Sequence, residues 1–294
     1  MIKADRFLKG GYSMKCIDLH VHSSSSDGTL SPRELVLYAK EKNLAAFALT
    51  DHDVVDGIEE ALAEGQKQGI EIVPGIELAA QYQDREIHIL GFFIDYKDPY
   101  FLERLQWIQK ERKRRNQKML EKLNDLGFDI TLEELKSVAG KDLISRAHFG
   151  KLLQEKGYAA SITDAFQLYL SPGKAAYVQR EVYSPKECIH FIHEAKGLAV
   201  LAHPTLYDLS DEEIKDLIKI LKAEGLDGIE AIYSLYTNEE EAKLRSWAHH
   251  YNLFITGGSD FHGKNKRQID LGTGRGNLKI PYELLEEMKK RLKK

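Results

Sequence analysis

The sequence predicts an α/β barrel interrupted by a helical insert, and three observations carry that prediction. Strand-like and helix-like apolar patterns alternate through 14–96 and again through 184–294, the mark of βα units on a parallel sheet. Between 97 and 183 the strand pattern vanishes and only helical periodicity remains, so a small helical domain is expected there. Nine residues able to bind metal, His20, His22, Asp27, His52, Glu77, His88, His203, Asp260 and His262, fall where apolar runs end and loops begin. Ligands offered by so many strand ends favour a closed barrel over an open sheet.

Each element follows from its local pattern. Residues 1–13 show neither strand nor helix periodicity and read as an N-terminal extension, with Met1 or Met14 as the start; the run CIDLH then predicts a strand near 15–20. Ser31 reads as an N-cap, with Pro32 at the first helical position and Glu34 completing a capping box, which opens a helix. A strand at 45–50, a helix at about 56–68 and strands at 70–73, 75–82 and 86–94 complete the first half. Helices near 99–126, 131–139, 145–156 and 161–170, separated by Gly127, Gly140 and Gly157, fill the insert. Alternation resumes with helices at about 184–196, 210–223 and 237–250 and strands at 198–202, 228–232 and 253–256.

A chain of 294 residues fits one large α/β domain with a smaller insert, and its longest apolar runs are far too short to span a bilayer. The start, MIKADRFLKGGYSMK, lacks the apolar core of a signal peptide. The two cysteines, Cys16 and Cys188, lie in apolar surroundings and read as buried, inert thiols, so a cytoplasmic, disulfide-free protein is expected. A net charge of −4 gives no global pull toward duplex nucleic acid or a membrane surface, which leaves phosphate binding to local groups.

In DLHVH, Asp18, His20 and His22 are expected on one strand face, because side chains repeat every two residues. Asp260 and His262 repeat that geometry in GGSDFHG, where the glycines give room for close approach, and the two motifs are expected to face each other across the barrel mouth. TDHD at 50–53, GIE at 75–77, HILG at 88–91 and AHP at 202–204 each add one candidate ligand. A single histidine is ordinarily a core or surface residue, and His190, His193, His249 and His250, in helical segments, read as surface. Joint placement at strand ends sets six of the eleven histidines apart. Imidazole and carboxylate without thiolate suit a hydrolytic metal cluster, and accept Mn²⁺, Zn²⁺ or Fe²⁺ alike.

HxH followed by the later Glu, the isolated His residues, AHP and SDFH in this order resembles the polymerase and histidinol phosphatase (PHP) family, in its branch of small phosphoesterases acting on nucleotides. The resemblance runs from Met14 to about Gly276 and includes ISRAHFG and YLSPGKAAYV in the insert. It implies a distorted (β/α)7 barrel with a metal cluster at its C-terminal rim. It further implies that His20, His22, Glu77 and Asp260 hold one ion, with Glu77 bridging to a second held by His88 and His203. Asp27, His52 and His262 match a third position. Trinuclear members carry a histidine where DGT supplies Asp27, so this set either holds a third metal or handles a proton. Asp18, Asp51 and Asp53 are expected to orient histidines from behind.

The chemistry implied is metal-activated hydroxide attack on a phosphate ester without a protein nucleophile, two ions roughly 3.5–4 Å apart lowering the pKa of a bridging water. His262 or His52, assisted by Asp27, is the expected proton donor to the leaving alkoxide. Arg146 and His148 match the family pattern for phosphate contact, with Lys174 as a weaker third; an arginine salt bridge and a polar helix cap are the ordinary alternative for the first two. The basic run KERKRRNQK at 110–118 reads as a solvated helix face, or as a seat for a short oligonucleotide tail. The substrates implied are nucleoside 3′,5′-bisphosphates and short 5′-phosphorylated oligoribonucleotides. Histidinol phosphate is an alternative within the family, and a non-catalytic accessory module an alternative of another class, though every ligand position is filled.

Overall fold

The computed structural model describes residues 15–139 and 144–293, so the N-terminal extension, the choice of start and Gly140 lie outside the described residues. Seven strands form one sheet in sequence order: β1 (Cys16–Val21), β2 (Leu44–Leu49), β3 (Glu71–Tyr82), β4 (Arg85–Phe92), β5 (Leu198–Leu201), β6 (Gly228–Tyr233) and β7 (Phe254–Gly258). The sheet curls until its two edges meet. His22 N donates to Phe261 O at 3.0 Å and Asp260 N to His20 O at 2.9 Å, which joins the end of β1 to the chain leaving β7 and nearly closes a barrel. A Cβ on Gly258 would stand 2.2 Å from His20 Cβ, so glycine is what lets this seam close. The DLHVH and SDFH motifs therefore lie side by side along the seam, not across the mouth as the sequence suggested.

Around the sheet run α1 (Pro32–Glu41), α2 (Ile58–Gln68), α3 (Pro99–Asp125), α4 (Leu132–Ala139), α5 (Arg146–Glu155), α6 (Ile162–Ala165), α7 (Pro185–Glu194), α8 (Asp211–Ala223), α9 (Asn238–His250) and α10 (Glu283–Arg291). The capping box read from Ser31 and Glu34 is present, with both reciprocal bonds formed. The second half of the helix expected at 161–170 is a π-helical turn, Phe166–Leu170. Helix α10, which the sequence reading did not include, sends Leu285 and Met288 into one core cluster with Ile17, Leu90 and Val200. Helix α3 spans two cores: Phe101, Leu105 and Ile108 pack among the barrel helices, while Met119, Leu120 and Leu123 pack with Phe149, Leu153 and Leu170 of the insert.

Three departures from simple βα repetition matter for the site. The strands expected at 70–73 and 75–82 are one element, β3, which passes through Pro74 where its partner changes from β2 to β4. A proline there has no N–H to waste at the handover. Strand β4 runs antiparallel to both β3 and β5, so its N-terminal half, not its C-terminal end, reaches the rim. Strand β1 carries a register shift between Asp18 and Val21, and Ile17 and Leu19 pack in a different cluster from Val21. That irregularity breaks the two-residue period, so Asp18 does not share the surroundings of His20 and His22.

Candidate metal centre

All nine residues singled out by position converge on one rim, and the carboxylate of Glu77 is their hub. Glu77 sits within β3, 1% exposed, where His52 bridges beside it and the paired β4 brings in His88. Its Oε1 lies 2.7 Å from His88 Nδ1 and 3.0 Å from His203 Nε2. Its Oε2 lies 3.1 Å from His20 Nε2, 3.1 Å from His22 Nε2 and 3.2 Å from His52 Nδ1. Burial alone would raise this acid's pKa, yet the surrounding His52, His20 and His88 hold it well below the usual carboxylate range.

Five imidazoles cannot all hydrogen-bond to one carboxylate, and the geometry shows which do not. His20, His88 and His203 hydrogen-bond Glu77 and His22 and His52 do not; His22 Nε2 is buried, 3.1 Å from Glu77 and 3.4 Å from Asp260 Oδ1, with no hydrogen-bond partner. Nitrogens and carboxylate oxygens aimed at a common space fit a divalent cation. Four overlapping groups could hold one: His20 with Glu77 and His203; His20 with His22 and Asp260; His52 with Glu77 and His88; and His22 with Asp27, His52 and His262. His22 thus belongs to two of these groups, including the Asp27 set, from which the sequence reading had kept it apart.

Other side chains aim the ligands. Tyr233 Oη and Lys266 Nζ each donate to Asp260 Oδ2 at 2.5 Å, which leaves Oδ1 turned toward His20, His22 and His262. His262 Nε2 lies 3.2 Å from Asp27 Oδ1 and its Nδ1 lies 2.9 Å from the Asp260 carbonyl. His203 and Asp260 both hold positive φ, at 23° and 58°, a strained backbone that non-glycine residues keep mainly at functional positions. The residue behind His20 is Glu230, whose Oε1 lies 2.9 Å from His20 Nδ1 and whose Oε2 accepts from His203 N at 2.9 Å.

Glu230 takes the place expected of three aspartates. Asp18 binds Ser259 and the Gly272 amide; Asp51 binds Ser23 and Ser26; Asp53 binds Arg112 and Arg180. They fix loops and guanidiniums and touch no imidazole nitrogen. Sequence reasoning missed Glu230, although a glutamate buried inside the apolar run GIEAIY was a signal that a partner charge waits within the barrel.

Beside the cluster lies a cavity of about 180 Å³, lined by Asp27, His52 and His88 on one side and by Arg112, Arg115, Arg146 and Arg180 on the other. Two of these arginines come from the basic run, which is therefore not a solvated face throughout: Arg112 and Arg115 are buried while Lys110, Lys113 and Lys118 are exposed. Asp53 accepts from Arg112 and, at 2.8 Å, from Arg180, and Glu86 accepts from Arg146 at 3.0 Å. Arg115, 6% exposed, bonds only the Asn116 amide oxygen, at 2.9 Å, and among the described residues it has no ion pair. Burial and the charges of Arg112, Arg180 and Arg146 hold its pKa well below the ordinary arginine value. Four guanidiniums meet three carboxylates, Asp27, Asp53 and Glu86, an excess of positive charge that suits an anion.

The expected phosphate contacts divide. Arg146 lines this cavity and also makes its salt bridge. His148 is buried and its Nδ1 accepts from Ser145 N at 3.0 Å, capping α5, and it is not among the lining residues. Lys174 is exposed in the turn after the π-helix, away from the cavity walls. Cys188 is fully buried and its thiol is pushed far up by burial, as read from sequence, whereas Cys16 is only half-buried.

A nearly closed seven-stranded α/β barrel with a buried histidine–carboxylate cluster at one rim is the architecture of a metal-dependent hydrolase. A family model for the PHP domain matches residues 18–289, and the chain belongs to that family, which places it among metal-dependent phosphoesterases. It is 35% identical to a 5'-3' exoribonuclease of Haemophilus influenzae, over 87% of this chain and 96% of the relative. It is 33% identical to a 3',5'-nucleoside bisphosphate phosphatase of Chromobacterium violaceum, over 88% and 91%. A crystal structure assigned as a metal-dependent phosphoesterase, from Bifidobacterium adolescentis, superposes with a TM-score of 0.83 at 29% identity, covering 94% of this chain and 96% of that one. Among the described residues no helix is long and apolar enough to cross a membrane.

Proposed function

We propose that this enzyme hydrolyses phosphate monoesters of nucleotides, nucleoside 3′,5′-bisphosphates foremost, and shortens 5′-phosphorylated oligoribonucleotides. One observation carries the reading: a cavity with an excess of guanidinium charge opens directly onto His52 and His88 of the metal cluster. A ligand with two phosphates fits that pairing, one at the ligand cluster and one against Arg146, Arg112, Arg115 and Arg180. His20, His22, Glu77, Asp260, His88 and His203 would hold two divalent ions, Mn²⁺, Zn²⁺ or Fe²⁺, with Glu77 shared. When bound, such ions supply an activated water and neutralise phosphoryl oxygens.

The chain's own residues do the rest. Arg146 and its neighbours hold the distal phosphate and set the register of the scissile one. His262, braced by Asp27 at 3.2 Å, is the group within the cluster suited to hand a proton to the departing alkoxide, with His52 as the neighbour that shares this task. His22 ties this set to the first two, which favours its taking part in the same chemistry whether it holds a third ion or a proton. The test is phosphate release from a panel of adenosine 3′,5′-bisphosphate, a 5′-phosphorylated short RNA and histidinol phosphate, with and without Mn²⁺. Fastest release from the bisphosphate, abolished by chelator, is expected. Fastest release from histidinol phosphate would overturn the substrate assignment, and no release with any divalent ion would leave only a binding module.

A further inference from the structure

A second cavity, a groove of about 810 Å³, is lined by Lys151, Glu155 and Ile162 of the 97–183 stretch and by the loop that follows β7. Lys151 of α5 lines one wall; Lys264, Lys266, Arg267 and Arg275 line the other, against one carboxylate, Glu155. Five cations against one acid is a marked local excess in a chain of net charge −4. Lys264, Arg267 and Arg275 are exposed and among the described residues make no ion pair.

The groove is mechanically continuous with the metal centre. Lys266 lines it and reaches Asp260 at 2.5 Å; Asn265 Nδ2 donates to the Asp27 carbonyl at 2.7 Å; Lys264 N donates to Thr29 Oγ1 at 3.0 Å. Ile162 and the exposed Leu235 add apolar surface on which a base could rest. The ligand cluster thus adjoins two cationic surfaces, a small one of about 180 Å³ and one several times larger. A mononucleotide has no use for the second. A polyanion threaded past the cluster has.

We infer that this groove holds the downstream sugar–phosphate backbone of a single-stranded oligonucleotide whose 5′-terminal nucleotide occupies the barrel site. The inference rests on the proposed nucleotide phosphoesterase activity and adds a seat for the rest of the strand: with the 5′ phosphate in the arginine cavity and the scissile phosphate at the cluster, the remaining strand lies over Arg267 and Arg275. The cations neutralise successive phosphates, so binding carries a salt dependence that a mononucleotide lacks.

The test compares the metal-loaded wild-type enzyme with Arg267→Gln/Arg275→Gln on adenosine 3′,5′-bisphosphate and on a 5′-phosphorylated decaribonucleotide, across a salt series. The double variant is expected to keep wild-type KM and kcat on the bisphosphate, which also reports that it is folded. On RNA its KM should rise about tenfold, and the slope of log KM against log salt should fall by roughly 1.4, two lost contacts at about 0.7 each for a single strand. Variant parameters equal to wild type on both substrates would overturn the groove assignment while leaving the proposed function intact, and a wild-type enzyme active on the bisphosphate but inert on RNA would overturn the groove and the oligoribonucleotide part of the proposed function while leaving the bisphosphate phosphatase. Wild-type inactivity on both would overturn the proposed function and the groove with it.

Discussion

Glu230 lies 2.9 Å from Nδ1 of His20, on the edge of the ring opposite the Nε2 that faces Glu77. A carboxylate there fixes the tautomer, so that Nε2 presents a lone pair, and it makes the ring a better donor to a cation. Both residues are buried, so neither can be oriented by solvent. Glu230→Gln should therefore keep the fold but weaken metal binding about 10–100-fold, the usual cost of losing such a partner. Metal titration of the chelator-stripped protein, with the melting curve as control, checks this; unchanged affinity would demote Glu230 to a packing residue.

Asp53 holds two buried arginines, Arg112 and Arg180, on one carboxylate oxygen. Burial alone would raise its pKa, but Arg180 and Arg112 pull it far below the usual range. Asp53→Asn leaves those guanidiniums without their shared counter-charge and should destabilise the fold by about 3–5 kcal/mol in denaturant unfolding at neutral pH. Because the folded pKa is depressed, the contribution is complete above the unfolded value of about 3.9 and declines only as pH falls further, toward the folded pKa. The gap between variant and wild type should hold down to about pH 4 and narrow below it. A gap that closed between pH 7 and 5 would rule out the ion pair as its source.

Arg115 shows the opposite balance. A buried guanidinium with an amide partner and three like charges around it is a cost to the free protein that a bound anion would relieve. Arg115→Met should leave unfolding stability unchanged or slightly raised, while KM for a nucleoside bisphosphate rises by about tenfold or more and kcat changes less. A loss of stability with unchanged KM would make it a structural arginine.

His262 faces Asp27 at 3.2 Å and is assigned to leaving-group protonation. His262→Asn should lower kcat on alkyl phosphates by roughly 10²–10⁴-fold, and on aryl phosphates with acidic leaving groups far less. The variant-to-wild-type rate ratio on a nucleoside 3′,5′-bisphosphate, set beside that on p-nitrophenyl phosphate, separates the cases. Equal losses on both would assign His262 to metal holding alone.

The convergence of the nine candidate ligands was largely legible because most of them stand where an apolar run gives way to a loop, and motifs such as DLHVH and SDFH announce it. What the sequence concealed was geometric. His88 lies inside β4, and only that strand's antiparallel run turns it to the rim; periodicity carries no information on strand direction. The Asp18 carboxylate is taken up by Ser259, Gly272 and the His20 amide instead of an imidazole ring, which no two-residue count could register. Arg112 and Arg115 looked like parts of a solvated basic stripe, because burial of charge depends on an Asp53 or an anion supplied from far along the chain. Helix α10 is short, and its apolar residues matter only once they meet the inner core residues Ile17 and Val200.

Glu77 is assigned as the shared ligand of divalent ions. Elemental analysis of the protein after reconstitution with Mn²⁺ and removal of free ion, wild type beside Glu77→Gln, tests this assignment. At least two ions per wild-type chain are expected, and loss of about two in the folded variant together with chelator-sensitive phosphate release. A wild-type chain that retains no ion, or a variant that retains as many as wild type, would contradict it.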